Sequence, residues 1–96
     1  MTLQDLIVKN REGIRRISEG HGAVNIRVFG SMARGRAGPD SDVDLLVDAG
    51  PNRTAFFPSG LIADLEELLG KRVQVVTAQA LHWYVRDRIL EEAVVL

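Results

Sequence analysis

Three short runs in this chain alternate apolar and polar residues with the period of a strand, and glycine-rich or helix-patterned segments separate them. Ala23 to Phe29 sets Val24, Ile26 and Val28 against Asn25 and Arg27. In the next run Val43, Leu45 and Val47 form a core-facing side, which leaves Asp42, Asp44, Leu46 and Asp48 on the opposite face. Arg72 to Thr77 sets Val73 and Val75 against Gln74 and Val76. The intervening segments carry the helical period instead. Leu3, Leu6, Ile7, Ile14 and Ile17 predict an amphipathic helix over 3–18, with Thr2 and Asp5 as an N-cap signal and Gly20 and Gly22 as its end. Leu61, Ile62, Leu65, Leu68 and Leu69 predict a second helix stopped at Gly70. Leu81, Val85, Ile89 and Leu90 predict a final one over 78–93, followed by a short strand at 94–96. Ser31 to Arg34 starts a short helix that Gly35 ends; the Gly38-Pro39 pair lies in a loop, and 49–60 is the least ordered stretch. The order αβαβαβα argues for an α/β layer fold with helices packed on a small sheet.

At 96 residues the chain makes a single domain, 1–96, built on one core. With no cysteine it has no disulfide, no thiolate metal site and no thiol nucleophile. Its formal net charge is −1, with acids and bases interleaved, so no strong nucleic-acid binding is expected. Met-Thr-Leu-Gln-Asp lacks the basic start and apolar core of a signal peptide, and no apolar run approaches the roughly 20 residues that span a bilayer. A cytoplasmic protein without a membrane partner is expected.

The chemistry concentrates between Gly30 and Leu46. Gly30-Ser31 leaves a strand and exposes backbone N–H groups, a favourable setting for phosphate oxygens. Glycine lets the backbone approach closely, Ser31 adds a hydroxyl, and Arg34 sits where a guanidinium can reach a terminal phosphate. Asp42 and Asp44 lie on one side of a strand with Cα atoms about 6 to 7 Å apart. Two carboxylates so placed repel each other unless a cation or solvent relieves them; a solvated strand face is the plain reading of such a pair alone, and magnesium suits it when combined with substrate phosphates.

Gly30-Ser31-Met32-Ala33-Arg34-Gly35 followed by Ser41-Asp42-Val43-Asp44-Leu45 resembles the signature of the minimal nucleotidyltransferases, small relatives of the DNA polymerase beta superfamily. The resemblance implies a nucleotidyltransferase fold with a small mixed sheet of three to four strands. It also implies nucleoside triphosphate binding at Gly30, Ser31, Arg34 and Ser41, and Mg2+ at the catalytic pair Asp42 and Asp44. It further implies transfer of a nucleoside monophosphate, AMP from ATP, to a hydroxyl of a partner protein, the chain being the antitoxin of a HEPN-type toxin. Base preference, acceptor and oligomeric state are not written in the motif.

One position departs from this pattern. Members with transfer activity carry a third acid on a later strand, and here Gln74 stands in the matching segment Val73-Gln74-Val75-Val76. Its amide oxygen is a neutral ligand and no general base at neutral pH. Asp48 lies about 13 Å along the strand from Asp44, too far to replace it. Glu66 and Glu67 sit on a helix with a core-facing side, and Glu91 and Glu92 are near the C-terminus. The alternative is therefore an impaired transferase that works as a binding and neutralising subunit. His21 and His82 have no metal-like spacing, and of Trp83 and Tyr84 one is expected in the core. Phe56 and Phe57 either cover the sheet edge or touch a partner, and Arg86-Asp87-Arg88 reads as a solvated helix face.

Overall fold

Thr2 opens the first helix, α1 (Leu3–Lys9), through a reciprocal cap. Its hydroxyl accepts the Asp5 N–H at 3.0 Å, and the Asp5 carboxylate accepts the Thr2 N–H at 3.2 Å. The computed structural model describes residues 2–38, 40–55 and 57–96; Pro39 of the loop pair and Phe56 of the aromatic pair lie outside the described residues. The helix expected over 3–18 is two helices, α1 and α2 (Arg11–Gly20). Asn10 interrupts them because its side-chain amide donates to the Leu6 carbonyl at 2.8 Å, a local bond that competes with helix continuation. The apolar stripe spans the break, since Leu3, Ile7 and Ile14 are all buried.

Strand β1 (Ala23–Phe29) breaks the expected alternation. Asn25 adopts φ +53, and the pairing with β2 (Val43–Ala49) passes from Val24–Asp48 to Arg27–Leu46, so β1 carries one residue more than its partner. This is a β-bulge, and asparagine tolerates the left-handed conformation it needs. Val24 is consequently exposed while Ala23 takes the buried place, a correction to the simple pattern.

Helix α3 (Ser59–Leu69) ends as expected at Gly70, which has φ +64 and donates to the Glu66 carbonyl at 2.8 Å. After β3 (Val73–Thr77) and a 3-10 turn at Ala78–Ala80, α4 (Trp83–Glu92) begins five residues later than its apolar spacing suggests, because Leu81 and His82 are extended. The chain then forms β4 (Val94–Val95). The sheet order is β3-β2-β1-β4, with β2 and β3 parallel and the other pairs antiparallel, so the mixed four-stranded sheet is present.

The core lies on one sheet face. Leu3, Ile7, Ile14, Leu61, Leu65 and Leu69 from the helices pack with Val28, Val43, Leu45, Val47, Val73 and Val75. Gly13 lets α2 and α3 approach, since a Cβ there would come within 3.1 Å of Leu68. Register puts Arg27, Phe29, Asp44, Leu46 and Gln74 on the other face. Among the described residues no helix is long and apolar enough to cross a membrane.

Candidate active site

Where β1 ends, Gly30 turns the chain at φ +75, and a Cβ there would run into the carboxylate of Asp44. Asp44 is held opposite Phe29 on β1 and beside Gln74 on β3. The close approach expected of this glycine is therefore toward the carboxylate as well as toward any ligand. Residues 31–35 form a turn and no helix, which corrects the short helix expected at Ser31. Arg34 N–H reaches the Gly30 carbonyl at 3.2 Å, and Arg36 N–H reaches the Ser31 carbonyl at 2.8 Å. With two glycines in six residues and Gly35 also at positive φ, the turn closes before a helix can propagate. Any anion here would meet the turn's own N–H groups without a helix dipole behind them.

The loop into β2 is fixed by Ser41, whose hydroxyl accepts the Gly38 N–H at 2.8 Å. That bond sets the entry to Asp42 one residue before β2, and the ladder starts when Val43 N–H bonds the Arg72 carbonyl at 2.9 Å. Burial pushes the Asp44 carboxyl above the usual carboxylate range, the charge of Asp42 pushes it further, and Arg34 opposes both. The two aspartates and Arg34 thus form one electrostatic unit. Two crowded carboxylates, one of them resisting ionisation, are a donor set that fits a hard divalent cation shared with phosphate oxygens. Among the described residues no group of three or more His, Cys, Asp or Glu side chains is arranged to hold a metal, so the protein's share would be the aspartate pair.

Gln74, where the resemblance leads one to expect a third acid, is the register partner of Asp44. Three of the acids that could substitute, Asp48, Glu66 and Glu92, are engaged elsewhere. Asp48 accepts from Asn25 at 2.7 Å and from Arg27 at 2.9 Å. Burial works against its ionisation, but these bonds and the charges of Arg27 and Arg86 outweigh it and hold the carboxyl below the usual range. Glu66 accepts the Val73 N–H at 3.0 Å and secures the start of β3. Glu92, set aside in the sequence as close to the C-terminus, folds back from α4 and accepts from Arg34 at 3.3 Å. No local spacing signals that contact, because 58 residues separate the two.

The remaining sequence candidates lie apart from this cluster. His21 is bound by Thr54 at 3.0 Å and Asp64 at 2.7 Å, joining α2, the 50–58 segment and α3. His82 accepts the Tyr84 N–H at 3.5 Å as the cap of α4. Trp83 and Tyr84 are 79% and 67% exposed, so neither is in the core. Phe57 packs against the core from the side. A recess of about 500 Å³ lined by Arg15, Asn25, Gly50 and Leu96 lies at the other end of β2 from Asp44.

A mixed four-stranded sheet with a glycine turn pressed against Asp44 defines the class of α+β fold, and comparison with known proteins specifies the family. A family profile described as nucleotidyltransferase domain matches residues 9–96. A Methanocaldococcus jannaschii protein provisionally assigned as a protein adenylyltransferase is 42% identical over 77% of this chain and 80% of its own length. The protein adenylyltransferase MntA of Thermococcus cleftensis is 40% identical over 96% of this chain and 90% of its own. A solved structure provisionally assigned as a minimal nucleotidyltransferase superposes with a TM-score of 0.86 at 44% identity, covering 100% of this chain and 97% of that one. A toxin-antitoxin structure with AMP-PNP shares the fold at a TM-score of 0.73 and 20% identity, covering 88% of this chain and 69% of that one. The chain belongs to the nucleotidyltransferase domain family.

Proposed function

We propose that this chain is a magnesium-dependent nucleotidyltransferase that moves AMP from ATP to a hydroxyl of a partner protein, and that the partner is a HEPN-type toxin it neutralises. The observation that carries the reading is Gly30 pressed against Asp44, with Asp42 and Arg34 close enough to act on that carboxyl. Its relatives named protein adenylyltransferase, and the toxin-antitoxin structures that share its fold, support the acceptor class.

In this reading the backbone at Gly30 and Ser31 and the Arg34 guanidinium bind the triphosphate, and Ser41 holds the loop that presents Asp42. Asp42 and Asp44 would hold Mg2+, which would supply charge neutralisation on the phosphates. The acceptor oxygen bonds the α-phosphorus, the bond from that phosphorus to the bridging oxygen breaks, and pyrophosphate leaves with the electron pair. The acceptor proton passes to solvent, because the neutral amide of Gln74 cannot take it.

Gln74 beside Asp44 also favours a second reading, an impaired transferase that binds and neutralises its partner through its surface. Labelled ATP, Mg2+ and the partner distinguish the two. Transfer by the wild type that Asp44→Ala abolishes is expected, with Gln74→Asp raising the rate about a hundredfold or more, the low end of what a positioned proton acceptor supplies (~10²–10⁴-fold). No transfer by either wild type or Gln74→Asp, with neutralisation intact in Asp42→Ala/Asp44→Ala, would leave the binding reading standing.

A further inference from the structure

Helix α4 has no buried residue, yet its last residue makes a contact with the site. Glu92 Oε2 accepts from Arg34 Nη1 at 3.3 Å, and its other oxygen lies 3.9 Å from Arg88 Nε. The Glu92 side chain is 31% exposed and that of Arg34 is 47% exposed, so the pair is reachable by a solute. Arg34 itself lies near enough to Asp44 for its charge to act there. A carboxylate therefore sits on the one guanidinium that the turn offers to this acidic cluster. We infer that Glu92 is a placeholder anion that competes with the nucleotide's phosphates for Arg34 and so sets the affinity of the site.

The inference rests on reading Arg34 as a phosphate-binding residue. A carboxylate and a phosphate both accept from the fork of an arginine, and Glu92 already holds the Nη1 end of it, which a phosphate bound across the fork would need. Displacement leaves Glu92 a second partner, Arg88 one turn back on the same helix, so the carboxylate is not stranded when Arg34 turns to phosphate. The exchange also loosens the attachment of α4, since Glu92 is its last residue before β4. By linkage, whatever engages Glu92 on α4 raises nucleotide affinity to the same degree that nucleotide favours the released helix.

Titration calorimetry with ATP and Mg2+, and separately with AMP and Mg2+, tests this on the whole chain. Glu92→Gln is expected to tighten ATP about two- to fivefold, the factor an exposed ion pair is worth. The gain is expected to vanish in the Arg34→Ala background and to be absent for Glu91→Gln, an exposed neighbouring acid that controls for loss of negative charge. AMP, which lacks the terminal phosphates, is expected to gain less than ATP. An unchanged or weaker ATP affinity in folded Glu92→Gln, or an equal gain with Arg34→Ala, overturns the inference. If Glu92→Gln melts early, Glu92→Asp, which shortens the reach to Arg34 but keeps the charge, is expected to tighten ATP in the same direction, and failure to do so overturns it equally. Loss of ATP binding in Asp44→Ala separates the outcomes. With that loss and a flat Glu92→Gln, only the placeholder falls; with no ATP binding in the wild type or any variant, the phosphate-site reading falls and takes the placeholder with it.

Discussion

Asp44 and Asp48 lie on the same strand, yet their surroundings act on them in opposite directions. Burial and the charge of Asp42 raise the Asp44 carboxyl, while hydrogen bonds from Asn25 and Arg27, helped by nearby arginine charge, overcome burial to lower Asp48. A carboxyl whose folded titration lies above its unfolded one costs stability when ionised, and that cost disappears as pH falls through the folded range. One whose folded titration lies below contributes stability above the unfolded range, and loses it as pH falls through the folded range. Asp44→Asn is therefore expected to melt a few degrees higher than the wild type at pH 7, the difference shrinking on acidification, as thermal scans from pH 7 to pH 3 would show. Asp48→Ala is expected to melt lower, its stability reduced by about 1–3 kcal/mol at pH 7, because Arg27 at 17% side-chain exposure loses its ion-pair partner. Its deficit also narrows as pH falls. A carboxyl held against its own ionisation, as Asp44 is, fits a residue kept for a ligand rather than for stability.

Among the elements, β1 shows best what the sequence could and could not disclose. Helix α3 and β3 were legible because Leu61, Leu65 and Leu69 and the Val73–Val75 pair follow one period without interruption, and Gly70 supplies a stop with a physical cause. The paired aspartates and the position of Gln74 were legible for the same reason, since period two fixes which side chains share a face. Asn25 was not, because φ +53 depends on the partner strand and leaves no mark on an alternating pattern that looks complete. Asn10 was missed because an asparagine inside a helical stripe breaks it only when its side chain captures a carbonyl. Glu92 escaped because its role comes from the return of α4, a long-range fact. The bulge makes a prediction of its own. Asn25→Gly keeps the backbone but loses the bond to Asp48 and is expected to cost about 0.5–1.5 kcal/mol by urea unfolding. Asn25→Val forces a β-branched residue into the left-handed region and is expected to cost about 1–3 kcal/mol more.

For the molecule as a whole, three helices and one face of the sheet carry the core, while the opposite face carries the aspartates. Ligand binding to that face should register as global stability by mass action. With ATP and Mg2+ near 100 times the dissociation constant, the gain is about 2.7 kcal/mol, a rise in melting temperature on the order of 10 °C or more for a domain of this size. Differential scanning calorimetry is expected to show it, and chelating the metal with EDTA is expected to remove most of it. The bulge has a further consequence for how the chain tolerates changes in length. Since Val24 pairs with Asp48 and Arg27 with Leu46, deleting Asn25 would join the two stretches into one regular ladder without shifting a single pair between Arg27 and Phe29. Deleting Val28 would instead move Phe29 into its inward-facing place and pull Gly30 off Asp44. The spare residue is thus a joint in the reading frame of the strand, a place where this chain can lose a residue while the turn and the carboxylate stay in step.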